Sequence, residues 1–267
     1  MAEIVERDLS CVVIGCILDV HNEIGPGLRE ECYQKAMELR LAEESVVFTG
    51  KPQTRRELMY CGEIADVFEP VLVIEDRMIV ELKARKGSLP TADFRQTINY
   101  FKYWGHELGM LVNFAQAQAE ITRMVYNDQY FDAEEDYDHV RTMMNANVRS
   151  TLQVVRQTLI DVHQTYGLGF SDTTYRSLVT IGLRNRGVAC IDEQQVAPRF
   201  KDHDLPISPI SPLNIDGNIL VEIEAVQEKL TARSTCTMQT HLRLTGANVG
   251  IVVNFGKTRF QIRGVSP

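Results

Sequence analysis

Apolar residues recur at helical spacing near the start of the chain. Leu9, Val12, Val13, Cys16, Ile17 and Val20 predict an amphipathic helix. Gly25-Pro26-Gly27 ends it, because proline cannot continue the ladder and glycine tolerates left-handed backbone. The pattern then predicts a second helix from about Arg29 to Glu43 and short strands around Val46–Phe48 and Arg56–Tyr60. Val71-Leu72-Val73-Ile74 and Met78-Ile79-Val80-Glu81-Leu82 flank Glu75-Asp76-Arg77 and predict a hairpin. A helix over Thr91 to Trp104 and a buried strand over Gly109 to Phe114 complete the series.

The series then repeats. Asp19-Val20-His21 through Gly25-Pro26-Gly27, with Glu30 and Tyr33, is answered at an offset of 142 by Asp161-Val162-His163 through Gly167-Leu168-Gly169, with Asp172 and Tyr175. Val80-Glu81-Leu82-Lys83-Ala84 is answered at an offset of 141 by Val221-Glu222-Ile223-Glu224-Ala225, and Asn113-Phe114 by Asn254-Phe255. The duplication supplies its own control. Features kept by both copies point to folding, and features kept by one point to chemistry. His21 and His163, Tyr33 and Tyr175, and the paired glycines therefore read as structural, and no phosphate-loop lysine follows the glycines. Lys83 against Glu224 is the difference that matters. In the second copy, Pro206, Pro209 and Pro212 predict a shortened or irregular first hairpin strand.

A chain of 267 residues accommodates two modest domains. The boundaries expected are 1–127 for the first, 128–141 for an acidic linker and 142–267 for the second. The net charge of −8 is uneven: −6 over 1–127 (14 Lys+Arg, 20 Asp+Glu), −5 over 128–141 (one Arg, six acids) and +3 over 142–267 (13 and 10). An acidic first copy is a poor broad surface for phosphates, and the second is the better candidate for a polyanion. The acidic N-terminus does not resemble a signal peptide and no apolar run approaches a membrane span, so a cytoplasmic protein is expected. Cys11, Cys16, Cys32, Cys61, Cys190 and Cys236 show no paired metal spacing; they read as reduced thiols, mostly buried, and argue against a zinc site.

If the hairpin turns on Asp76, residues whose numbers sum to 152 lie opposite each other. Glu69, Val71, Glu81 and Lys83 then share one face. A carboxylate and an ammonium so placed suit metal-assisted hydrolysis: the carboxylate holds a hard divalent cation, and the lysine orients water and offsets phosphate charge. Gln96 on the next helix could steady that lysine, and Glu30 could add an oxygen. The alternative is an edge strand carrying two solvated charges. Tyr100, Tyr103 and Trp104 fit core and interface positions better than base stacking.

The order of these motifs, with Gly-Pro-Gly-Leu-x-Glu-x-x-Tyr, Val-Glu-Leu-Lys-Ala, Gln96-x-Ile98-Asn99-Tyr100 and a Val-Asn-Phe strand, resembles the GxxExxxY family of the PD-(D/E)XK nuclease superfamily. The resemblance implies an α/β chain of two tandem restriction-endonuclease-like domains, each a mixed central sheet flanked by helices. It implies a Mg²⁺ (or Mn²⁺) phosphodiesterase site in the first, with Glu81, Lys83 and Gln96 catalytic and Glu81 and Glu30 among the metal ligands. The family's metal-binding aspartate, about ten residues before the glutamate, is here Val71 after Pro70. Glu69 and Asp66 are the acids near enough to replace it, and Glu69 is alternatively a partner for Lys83. In the second copy Ile207, Pro212, Glu224 and Thr237 stand opposite Asp66, Val71, Lys83 and Gln96, and only Glu222 remains.

Two readings follow. In the first, the first domain hydrolyses nucleic acid and the second is a pseudo-nuclease packed against it as an intramolecular pseudo-dimer. In the second, the chain is inactive and uses the nuclease frame to bind nucleic acid or a protein partner. Neither involves a membrane.

Overall fold

The computed structural model describes residues 6–125, 133–141, 144–226, 229–256 and 260–267. The chain divides into two compact units, Met1–Leu58 with Asp66–Asp128, and Met59–Ala65 with Gln129–Pro267. Among the described residues, no helix is long and apolar enough to cross a membrane.

Unit 1 begins with α1 (Arg7–Ile24) and α2 (Glu30–Glu43). The predicted stripe of α1 is buried at Val13, Cys16, Ile17 and Val20, while Val12 is left exposed. In chain order come β1 (Phe48–Gly50), then β2 (Arg56–Tyr60) and β3 (Glu63–Phe68), whose Met59–Ala65 portion belongs to unit 2, then β4 (Leu72–Ile74) and β5 (Met78–Lys83). The unit closes with α3 (Thr91–Trp104), β6 (Leu108–Asn113) and β7 (Glu120–Val125). Five of these strands form a sheet in the order β1-β4-β5-β6-β7. Only β5 and β6 run parallel within it, and α3 makes the crossover that a parallel pair requires. Leu72 faces Val80 and Ile74 faces Met78, which is the register expected from the sum of 152. β5 lies at the centre of the sheet and every residue of it is buried.

In unit 2, β8 (Ala133–Asp136), α4 (Asp138–Arg141), α5 (Ala146–Tyr166) and α6 (Asp172–Asn185) come first. They are followed by β9 (Cys190–Ile191), β10 (Gln194–Val196), β11 (Arg199–Phe200), β12 (His203–Asp204), β13 (Ser208–Ile210), β14 (Leu213–Ile215) and β15 (Ile219–Glu224). The last elements are α7 (Ala232–Thr245), β16 (Val249–Asn254) and β17 (Phe260–Val265). The main sheet runs β8-β17-β16-β15-β14-β9. Within the stretch expected as an acidic linker, residues 128–132 lie outside the described residues. Ala133–Asp136 is a strand of this sheet, parallel to β17. The prolines do not shorten the first hairpin strand: β14, like β4, has three residues. Pro206 and Pro212 lie outside the strands, and Pro209 falls in β13, which pairs with β10 in a separate two-stranded sheet.

The features that both copies keep are built into the frame. Tyr33 Oη donates to Gly25 O at 2.8 Å and accepts from Leu28 N at 3.2 Å; Tyr175 Oη does the same with Gly167 O and Phe170 N. These bonds hold the turn after the first helix, where Gly25 and Gly167 sit at φ 68° and 62°. Each tyrosine stacks on the phenylalanine that follows the repeated Asn, Phe114 at 4.5 Å and Phe255 at 4.2 Å. Asn113 and Asn254 are both fully buried; Asn113 donates to Arg85 O and Gly87 O, Asn254 donates to Val226 O, and each accepts from backbone N–H groups. His21 Nε2 bonds Gln116 O, and His163 stacks on Phe260. The structural reading of these residues holds.

A further repeated device is Gly109 and Gly250, 141 residues apart. A Cβ at Gly109 would stand 1.9 Å from the Phe101 ring of α3, and one at Gly250 would stand 2.3 Å from Met238 of α7. The missing side chains let each crossover helix lie directly on its strand. Gly250→Ala is expected to cost about 1–3 kcal/mol by overpacking, measurable as a lower urea midpoint at unchanged slope.

The cysteines depart from expectation. All six are free, but Cys16 alone is buried; Cys190 is intermediate and the other four are exposed.

Candidate active site

The Glu-x-Lys pair lies at the C-terminal end of β5, with α3 supplying the residues around it. Because β5 is central, Glu81 and Lys83 are only 3% and 6% exposed. The pair is therefore not two solvated charges on an edge strand. Two buried charges must compensate each other, and they do so directly: Lys83 Nζ donates to Glu81 Oε1 at 2.8 Å. A second bond from Lys83 Nζ goes to Gln96 Oε1 at 3.0 Å, so the glutamine steadies the lysine as expected. Gln96 Nε2 in turn donates to Tyr100 Oη at 2.8 Å, which extends the chain of bonds along α3.

The second carboxylate oxygen of Glu81 is also taken. Val71 N donates to Glu81 Oε2 at 3.2 Å, so the position where the resemblance leads one to expect an aspartate contributes a backbone donor. Burial pushes the Glu81 carboxyl above the usual carboxylate range, and the Lys83 charge works against that rise. Tyr100 is driven upward by burial and then by the Glu81 charge, so it stays a neutral phenol.

A carboxylate not anticipated from the motif joins the group. Asp93 Oδ1 lies 4.0 Å from Lys83 Nζ, and Oδ2 lies 3.3 Å from Arg85 Nε without hydrogen-bond geometry. Asp93 is buried, in the first turn of α3. Its spacing of three from Gln96 puts both on one helix face, which is the signal that could have found it. Lys83 thus sits between two acids.

The remaining predicted residues reach other partners. Glu69 pairs with Lys51 at 3.2 Å, which corrects the expected Glu69–Lys83 pairing: Lys83 is drawn into the sheet by Glu81 and Gln96, leaving Glu69 to a lysine beyond β1. Asp66 Oδ1 accepts from Val67 N at 2.8 Å. Glu30, at the start of α2, reaches the end of β5, but its Oε1 accepts from Ala84 N at 3.3 Å.

Mg²⁺ needs several oxygens in near-octahedral array, with one or two carboxylates among them. Here Glu81 spends both oxygens on donors of the chain, the opposite position is a valine, and Glu30, Glu69 and Asp66 point their carboxylates to other donors. Among the described residues no group of three or more His, Cys, Asp or Glu side chains could hold a metal ion. This donor set does not fit the ion that the family resemblance implies. In unit 2, Glu222 Oε2 accepts from Ser211 Oγ at 2.7 Å, and burial pushes its carboxyl upward. Glu224 stands in the lysine position and Thr237 in the glutamine position.

A model of the PD-(D/E)XK nuclease superfamily matches the chain twice, over residues 7–124 and 149–265. The chain belongs to that superfamily, with two nuclease-like domains in tandem. No protein of curated function matches it.

Proposed function

We infer that this is a GxxExxxY-type tandem nuclease-fold protein that does not hydrolyse phosphodiesters and that uses the frame for binding, with nucleic acid as the partner class the superfamily suggests. The observation that carries the reading is the closed circuit around Glu81. One oxygen takes the Lys83 ammonium and the other takes Val71 N–H, so a cation here would share each oxygen with a donor of the chain and would find a valine, not a second acid, opposite Glu81. Two of the three lysine N–H groups are also committed, and Asp93 holds the ammonium from a further side. Lys83 serves as the internal counter-ion of two buried acids. The second unit, with Glu224 facing the role of a lysine, is a non-catalytic partner on the same reasoning.

The rival reading, metal-dependent hydrolysis by unit 1, is favoured by one observation: Glu81, Lys83 and Gln96 do converge. Cleavage assays separate the two. Labelled single- and double-stranded DNA and RNA, incubated with Mg²⁺ or Mn²⁺, are expected to remain intact with the folded chain. Metal-dependent cleavage that is lost in both Glu81→Ala and Lys83→Ala would overturn the inference and assign hydrolysis to unit 1.

A further inference from the structure

Unit 2 holds a cavity of about 260 Å³ lined by Tyr137, Arg141, Arg149, Leu152, Gln153 and Arg156. We propose that it binds a phosphate group. The proposal goes beyond the reading of unit 1 and does not depend on it.

Three guanidinium groups around one small space repel each other, and this in a chain whose net charge is −8. Among the described residues, the local carboxylate, Glu135, offsets only one of them. Arg156 forms a fork on Glu135, with Nε on Oε2 and Nη2 on Oε1, both at 2.6 Å. Among the described residues, neither Arg141 nor Arg149 has an ion pair with an acid. Three positive charges less one negative leave two, and an anion with two charges would complete the balance. The other acids of β8 serve elsewhere: Glu134 accepts from Gln261 Nε2 at 2.9 Å, and Asp136 lies 3.7 Å from His139. Strand alternation puts both on the face opposite Glu135.

The cavity is also built to hold its donors in place. Arg149, Gln153 and Arg156 follow one stripe of α5, at intervals of four and three. Arg149 Nη2 donates to Met144 O at 3.1 Å, and Arg156 is fixed by Glu135, so both guanidinium planes are held before a ligand arrives. Planar forks match phosphate oxygens in pairs, which an ammonium cannot do. Buried Leu152 lines the cavity beside the charges, and burial keeps Tyr137 a protonated phenol. The volume is below the ~300–1,000 Å³ of sites that enclose a drug-sized ligand. That size fits one phosphate group, either free or on a polymer whose remainder stays outside.

The test is calorimetric titration of the full chain with sodium pyrophosphate and, separately, with a short single-stranded oligodeoxynucleotide. The variant is Arg141→Gln/Arg149→Gln, which removes two exposed side chains that have no acid partner among the described residues. An equal charge change on α7, Arg233→Gln/Arg243→Gln, controls for the general field. Binding to either probe that weakens at least about tenfold in the first variant and stays unchanged in the second supports the site. Pyrophosphate binding then identifies a small phosphate ligand, and binding of the oligonucleotide alone identifies a phosphodiester backbone. No binding of either probe, equal binding by the first variant, or equal weakening in both variants would overturn the proposal.

Discussion

Lys83→Met is expected to destabilise unit 1 by about 3–5 kcal/mol at neutral pH, because it leaves Glu81 charged, buried and without its partner. The loss should depend on pH in a defined direction. Burial already raises the folded pKa of Glu81, and Lys83 is the main charge holding it down. A carboxyl whose folded pKa exceeds its unfolded value binds its proton more readily when folded. Its contribution is therefore fullest at the acid end and declines as pH rises through the folded pKa. Without Lys83 that pKa climbs further, so the decline extends to higher pH. The deficit of Lys83→Met against wild type should be small near pH ~4 and widen towards pH ~8. Urea unfolding across that range measures it. Adding Glu81→Gln should recover most of the loss, because a neutral amide needs no counter-ion and Asp93 keeps Arg85 at 3.3 Å. A Lys83→Met protein as stable as wild type at every pH would contradict the buried-pair description.

Val71→Asp is the reciprocal experiment. Position 71 is buried and, in the 152 register, lies beside Glu81, whose Oε2 already accepts from its backbone N–H. A carboxylate placed there without a cation adds a second buried negative charge and removes an apolar contact of the core. The expected cost is about 3 kcal/mol in chelator. The same change supplies the second oxygen donor that the present site lacks, so Mn²⁺ should restore stability in a concentration-dependent way. Wild type should show no such dependence. Equal stability of Val71→Asp with and without Mn²⁺ would mean that the valine is not what prevents metal binding.

The frame was legible because it is periodic and because it occurs twice. The α3 bounds, the α2 span and the 152 register follow from spacing alone, and the paired Tyr, Asn and Gly residues declared themselves structural by surviving in both copies. What the sequence hid was mostly non-local. An edge position for β5 was tenable on the Glu-x-Lys triplet alone. The wholly apolar run Leu108 to Val112 was the clue that its neighbour is covered on both faces, and hence that β5 is central. β8 could not be read from Ala-Glu-Glu-Asp, whose local preference is against a strand; pairing with β17 decides it. The partner of Glu69 was missed for the same reason, since Lys51 lies 18 residues away in sequence and meets it only through the fold. Asp93 was visible at three residues from Gln96 and was passed over because it belongs to no motif.

The duplication gives these differences their meaning. Both units keep the parallel strand pair, the crossover helix and the turn tyrosine, while unit 1 carries Glu81-x-Lys83 and unit 2 carries Glu222-x-Glu224 at the same place. In unit 1 position 71 offers Glu81 a backbone donor, and the glutamate and lysine neutralise each other inside the sheet. On the proposed reading, the Lys83 ammonium takes the place that an external cation would have beside Glu81.

The most direct test is a Mn²⁺ titration of the wild-type chain, with free Mn²⁺ followed by electron paramagnetic resonance and Val71→Asp and Glu81→Gln run alongside. The account predicts no stoichiometric site in wild type below about millimolar Mn²⁺, and one gained by Val71→Asp. A micromolar site in wild type that disappears in Glu81→Gln would contradict it.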